Sequence, residues 1–213
     1  ESTNFLFHKI KVLKIPLKSF ITSSAVGFYG TFTSGKIFSE QDHFAKDFLG
    51  ELCFKWEAAA NQFTELGCQV SKVRTGVVLA SDGGALPKMI KPIILGVGSA
   101  LGSGKQYFPW IHVKDLCRIY VQLVYNNLPS GVYNGVAPES ITNNKLTQII
   151  ADTLKKPLRL PNIPSWVLKI IFGNMASILL EGSRVSSEKL IDSGFEFGYP
   201  SIRSAINDLL KYT

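Results

Sequence analysis

The sequence predicts an α/β domain followed by a small, mostly helical C-terminal lobe. Three observations carry that prediction. Short β-branched runs alternate with helical patterns through residues 1–160, as strands joined by crossover helices do. After Pro161 the strand patterns stop and only short helical ones follow. Hydrophobic residues make up 46% of the 213 and charged residues 18%, enough apolar material for a core and too much for a disordered chain.

Residues 3–10 read as a helix, with Phe5, Leu6 and Ile10 apolar and lysines opposite. Residues 19–22 form a short apolar strand that runs into the small-residue turn Ser23-Ser24-Ala25, and a Gly-, Thr- and Ser-rich loop fills 27–41. The clearest helix covers 42–66. Phe48, Leu49, Leu52, Trp56, Ala59, Ala60 and Phe63 keep helical spacing, Glu51 and Lys55 form an i,i+4 pair, and Gly67 supplies a stop. Residues 68–79 predict one β-branched strand ending in Ser81-Asp82-Gly83-Gly84. A helix at 86–95 tolerates Pro87 in its first turn, and a glycine-rich loop fills 96–104. A strand at 110–113, a helix at 114–125, a strand at 132–134 and a helix capped by Thr142 and running to 154 complete the alternation. The lobe then holds helices at 166–172, 176–180, 187–191 and 202–210.

Twenty-three Lys and Arg against 16 Asp and Glu leave a net charge of +7. The basic residues are scattered, and the densest stretch (Lys9, Lys11, Lys14, Lys18) reads as a solvated helix face and its exit, so no nucleic-acid partner is expected. An anionic cofactor is a better use of the surplus. Cys53, Cys68 and Cys117 are odd in number and lack CxxC spacing, which argues against a disulfide framework or a zinc site and fits a reducing cytoplasm. Apolar stretches fall well short of a membrane span, and the polar start Glu1-Ser2-Thr3-Asn4 does not fit a signal peptide; neither a membrane partner nor a metal is expected.

Three segments could carry chemistry. Ser23 and Ser24 follow an apolar strand, so they stand either in a plain serine-rich turn or at the carboxyl edge of a sheet, where α/β ligands bind. Arg74 lies inside an apolar strand and must find an anion, either a structural carboxylate or a ligand phosphate. The run from Gly102 to Asp115 resembles a phosphate loop at first sight, but Ser99 stands where that loop needs Gly and Gln106 where it needs a hydroxyl. His112 and Asp115 are either an acid/base pair or a strand-end His satisfied by a helix-start Asp.

Taken in order, SSAVGFYG, KWEAAA, VRTGVVL, GGALPKM, LGSGKQYFPWIHVKDL, GVYNGVAP and LLEGSRVSSEKLIDSGFEF resemble an atypical extended short-chain dehydrogenase/reductase family, sugar-nucleotide epimerase-like, with a C-terminal domain of unknown function. The resemblance implies that residues 1–160 are the C-terminal part of an NAD(P)-binding Rossmann-like parallel sheet and that 161–213 are the family's C-terminal domain. It implies NADP(H) as cofactor, a nucleotide-sugar-like substrate, and a glycine-rich N-terminal half that residues 1–20 do not contain. The expectation is therefore a truncated chain, a separate chain, or a further segment of about 80–90 residues, roughly four strands.

Carried over residue by residue, Ser24 matches the serine that bonds the reacting substrate oxygen. Ser23, Ser24 and Arg74 fall on the cofactor side, and Gln106, Asn134 and Arg184 on the substrate side. Trp110, His112 and Asp115 match a block that closes the cleft. The family's Tyr-x-x-x-Lys is absent, and Cys53 and Glu57 stand near those positions. Without the pair, the alternative to an epimerase-like oxidoreductase is a non-catalytic NADP(H)-binding regulatory or interaction protein.

Overall fold

A computed structural model describes residues 1–211, leaving aside the side chain of Asn174. In chain order the regular elements are α1 (Ser2–Val12), β1 (Ser19–Ala25), β2 (Ile37–Phe38), α2 (Phe48–Asn61), β3 (Gln69–Thr75), β4 (Val77–Leu79), α3 (Ala85–Ile94), β5 (Trp110–His112), α4 (Val113–Val124), β6 (Val132–Gly135), α5 (Asn143–Thr153), α6 (Ser165–Phe172), α7 (Ala176–Leu180), β7 (Arg184–Val185), α8 (Glu188–Asp192) and α9 (Ile202–Leu209). The predicted alternation is found with three departures: β2 lies in the loop predicted at 27–41, the strand predicted at 68–79 is divided, and β7 lies in a lobe predicted to hold helices only.

Three parallel strands make the centre, in the order β1-β3-β6. The middle strand β3 is buried from Ser71 to Arg74, as a strand flanked on both sides must be. The outer edge of β1 pairs with no strand among the described residues. Register sets Ser24 beside Arg74 and Arg74 beside Asn134, one row across the sheet near its carboxyl end.

The strand predicted over 68–79 is two strands. Up to Thr75 the chain bonds to β6; Gly76 N–H donates to the Gly135 carbonyl, and Val77 N–H donates to the Pro109 carbonyl as pairing passes to β5. Gly76 makes the hand-over possible, since a Cβ there would stand 2.6 Å from the Pro109 oxygen and 2.8 Å from Val136 Cγ1.

The long helix also differs from its prediction. It begins at Phe48 instead of residue 42 because the Asp47 carboxylate takes Gly50 N–H as an N-cap and Thr31 N–H from the preceding loop, each at 2.8 Å. Residues 62–66 continue it as a 3₁₀ turn up to Gly67, whose positive φ ends it. Its buried stripe is Gly50, Cys53, Glu57 and Ala60, whereas Phe48, Phe54 and Trp56 lie at the surface. In α1 likewise no residue is buried.

The lobe is tied into the domain. Ile202, Ala205, Ile206 and Leu209 of α9 pack with Leu86, Ile90, Trp110, Leu146 and Ile150 in one core. β7 pairs in parallel with β2, two residues with two, a contact too short to leave a period in the sequence.

Gly76→Ala is expected to cost about 1–3 kcal/mol, because the new methyl meets backbone. Gly83→Ala, with open space around its Cβ, should be close to neutral. Urea unfolding of the two variants side by side checks this; equal midpoints would mean that β5 yields easily at Gly76.

Candidate functional site

At the carboxyl end of the central strands the in-register row meets helix α2. Glu57, on the buried stripe of α2, turns both carboxylate oxygens to Arg74: Nε donates to Oε1 at 2.8 Å and Nη2 to Oε2 at 3.0 Å. Ser24 Oγ donates to the same Oε1 at 2.8 Å. Arg74 Nη1 donates to Tyr29 Oη at 3.0 Å, and Tyr29 donates onward to Asn134 Oδ1 at 2.7 Å. Asn134 Nδ2 donates to the Ser186 carbonyl, while its backbone N–H donates to Glu40 Oε1 at 2.7 Å. The Phe28 ring lies 3.4 Å from the guanidinium carbon and covers its face.

The electrostatics follow from that geometry. Arg74 is 4% exposed, and burial alone would lower its affinity for a proton; the bonds to Glu57 and the contact with Tyr29 override this and hold it charged. Burial pushes the Tyr29 phenol up to about 12 even though Arg74 and Asn134 pull the other way. The Cys53 thiol, one turn before Glu57, is pushed up first by burial and then by the Glu57 charge, against a hydrogen bond from the Ala25 backbone. Near neutral pH neither group releases a proton readily.

Of the residues singled out in the sequence, Ser24, Arg74 and Asn134 come together with Cys53 and Glu57. The anion that Arg74 requires is supplied here by a structural carboxylate. Ser23 points its hydroxyl to the exposed side, 3.4 Å from Thr75 Oγ1. Gln106 lies apart: its Nε2 donates to the carbonyls of Leu101 and Leu179, and its buried Oε1 has no partner. Arg184 sits on β7 beside the Tyr107 ring, 5.4 Å from its centre, with Nε buried and unbonded. Among the described residues no group of His, Cys, Asp and Glu is placed to hold a metal ion.

His112 and Asp115 do not pair. His112 Nδ1 accepts from Lys114 N–H and caps α4, the ring stacks on Tyr199 at 3.8 Å, and Nε2 faces Asp208 of α9 at 3.4 Å. Asp115 instead accepts the backbone N–H groups of Gly198 and Tyr199. Both serve to dock the lobe. The partner of His112 lies 96 positions further on, a distance that local spacing cannot report.

Two members of the site escape a reading of the sequence. Tyr29 sits in an aromatic block that looks like core, and it is fully buried; a buried arginine needing more acceptors than one carboxylate supplies is the only hint of it. Glu40 lies in a loop with no pattern.

The family model described as "Domain of unknown function (DUF1731)" matches residues 163–209. The mouse protein "Epimerase family protein SDR39U1" is 36% identical over 211 residues, covering 99% of this chain and 71% of its own length. The crystal structure of the human epimerase family protein SDR39U1 (isoform 2) with NADPH superposes with a TM-score of 0.88 at 33% identity, over 100% of this chain and 72% of that one. A nucleoside-diphosphate sugar epimerase from Corynebacterium glutamicum superposes at 0.79 and 29% identity, over 99% of this chain and 41% of that one. The chain spans between 54% and 71% of the curated relatives' length.

Removing one partner of a buried ion pair strands the other. Glu57→Ala is therefore expected to cost about 3–5 kcal/mol, and the double variant Glu57→Gln/Arg74→Met to regain most of it, measured by urea unfolding. Thiol titration gives a second check: Cys117, exposed, should react first, whereas Cys53 and Cys68, buried and pushed up, should stay silent until the protein unfolds.

Proposed function

We propose a function from one premise: the chain belongs to the epimerase family, an atypical branch of the extended short-chain dehydrogenase/reductases that carries the domain of unknown function at its C-terminal end. We infer NADP(H)-dependent oxidoreductase chemistry of the nucleoside-diphosphate-sugar-epimerase kind. The observation that carries this is the row Ser24, Arg74 and Asn134 at the carboxyl end of three parallel strands, where open α/β sheets bind ligands.

The donor set suits a dinucleotide. Ser23 turns its hydroxyl to the exposed side of the same strand end, outside the Glu57–Arg74 network, and with Ser24 it would hold the cofactor. When bound, a nicotinamide supplies or takes up a hydride. Ser24 Oγ has its proton on Glu57 Oε1, which leaves its lone pairs to accept from a substrate hydroxyl. Arg74 enters as the residue that pins Glu57 and so orients Ser24; its contacts with Glu57 and Tyr29 leave little of the guanidinium for a phosphate. On the substrate side, Gln106 Oε1 and Arg184 Nε are an acceptor and a cationic donor left unbonded, but both are buried and apart from Asn134, so they would meet a ligand only once uncovered.

The open edge of β1 supports pairing with a glycine-rich strand–turn–helix half that would supply the pyrophosphate cradle. The division into residues 1–160 and 161–213 is supported by the family match that starts at residue 163. A cytoplasmic setting is supported by three free thiols. A second reading, a non-catalytic NADP(H)-binding regulatory protein, draws on Cys53 and Glu57. A thiol pushed up and a carboxylate held by Arg74 are poor substitutes for a phenol and an ammonium.

Ser24→Ala is expected to lower turnover about 10²-fold, the usual loss for one hydrogen bond made in the transition state, and to weaken NADPH binding modestly, since Ser23 remains. Cys53→Ser should change it only modestly. Binding is read by NADPH fluorescence, and turnover by chromatographic separation of the epimers formed from UDP-glucose and UDP-N-acetylglucosamine with NADP+ supplied, because the hydride is returned and cofactor absorbance shows no net change. NADPH binding without turnover in either variant or the parent would favour the regulatory reading.

A further inference from the structure

Helices α6 and α7 pack chiefly against each other, and only Leu168 and Ala176 of the pair are buried. Trp166, Ile170, Ile171, Phe172 and Met175 are left to solvent, Ile170 at 76% and Trp166 at 63%. Five large apolar side chains exposed within residues 166–175 mark a contact site. Its charge is one-sided. Between Asp152 and Glu181 the chain has no acidic residue, while Lys155, Lys156, Arg159 and Lys169 are exposed and make no ion pair among the described residues.

We propose that this hairpin docks on an anionic lipid surface, its apolar side chains entering the headgroup boundary while Lys169, and Lys155, Lys156 and Arg159 on the stretch between α5 and α6, meet lipid phosphates. Charge complementarity selects the occupant: a second copy would bring four like charges against these, whereas an anionic membrane pairs them. An interfacial tryptophan, a run of bulky aliphatics and flanking lysines are what a helix lying in the interface needs. Insertion is shallow by construction, since none of the described helices is long and apolar enough to cross a membrane.

The test is co-sedimentation with vesicles of phosphatidylcholine alone and of equimolar phosphatidylcholine and phosphatidylglycerol. The protein should pellet with the anionic vesicles, less so as salt rises, and Trp166 emission should shift to the blue, a shift absent in Trp166→Phe. Ile170→Ser/Ile171→Ser should weaken binding about tenfold or more, and each of Lys155→Gln and Lys156→Gln about fivefold, with circular dichroism unchanged. Equal binding to both vesicles, or none, overturns the proposal. So does a dimer seen by light scattering that Ile170→Ser/Ile171→Ser breaks while vesicles are ignored, or preferential binding of polyglutamate.

Discussion

A carboxylate and a guanidinium buried together are the constraint on which the rest of the site depends. Glu57 and Arg74 are each about 5% exposed or less, and burying either alone would be prohibitive. Two hydrogen bonds join them, and the remaining valences dictate their neighbours. Tyr29 accepts from Arg74 and must pass its own proton to Asn134; Ser24 takes the remaining reach of Glu57 Oε1; Phe28 covers the guanidinium face. Phe28 and Tyr29 share the turn after β1 and the other groups come from four separate elements, so one ion pair fixes the spacing of β1, α2, β3 and β6 and the path of that turn. A network satisfied this completely is rigid, and a rigid shell suits a hydroxyl that must meet substrate at a set distance.

How much of this was legible in the sequence depends on how far each signal reaches along the chain. Strands and helices longer than about two turns or four residues leave a period, and the alternation was readable from it. Ser24 and Arg74 were readable because each breaks a local rule, a polar run after a strand and a charge within one. That they stand side by side, with Asn134 next in line, depends on a register no local pattern encodes. Glu57 was visible only as an odd residue at a lysine's position, and the direction of its effect on Cys53 follows from charge alone. The apolar stripe assigned to α2 was displaced because the helix turns its small and polar face to the ion pair, leaving Trp56 outside. His112 was paired with the wrong aspartate for the same reason of reach: Asp115 is three residues away, and Asp208 is brought in by the last helix.

The chemistry left to such a site is narrow. A phenol held by Arg74 and pushed to about 12 keeps its proton, and a thiol pushed up by burial keeps its own. Ser24 is the hydroxyl bonded directly to the Glu57 carboxylate, at the end of the row. Its proton lies on Glu57 Oε1, which leaves its oxygen as an acceptor. The fold of the family is kept without the tyrosine–lysine pair, and the carboxylate near the lysine position is tied up by Arg74.

The distribution of charge separates two surfaces of the molecule. The net surplus of +7 first suggested an anionic cofactor, yet at the heart of the site the Arg74 charge is cancelled by Glu57 within hydrogen-bond distance. A cancelled pair attracts an anion only at close range, because its field falls off as a dipole's. The uncompensated cations lie elsewhere, four of them between residues 155 and 169 with no acid between Asp152 and Glu181. Long-range attraction therefore comes from surface cations such as these and Lys9, Lys14 and Lys18, whereas the sheet edge offers short-range hydrogen bonds. Because α9 and Asp115 lock the lobe onto the domain core, whatever the hairpin rests on also sets the orientation in which the mouth of the sheet faces its substrate.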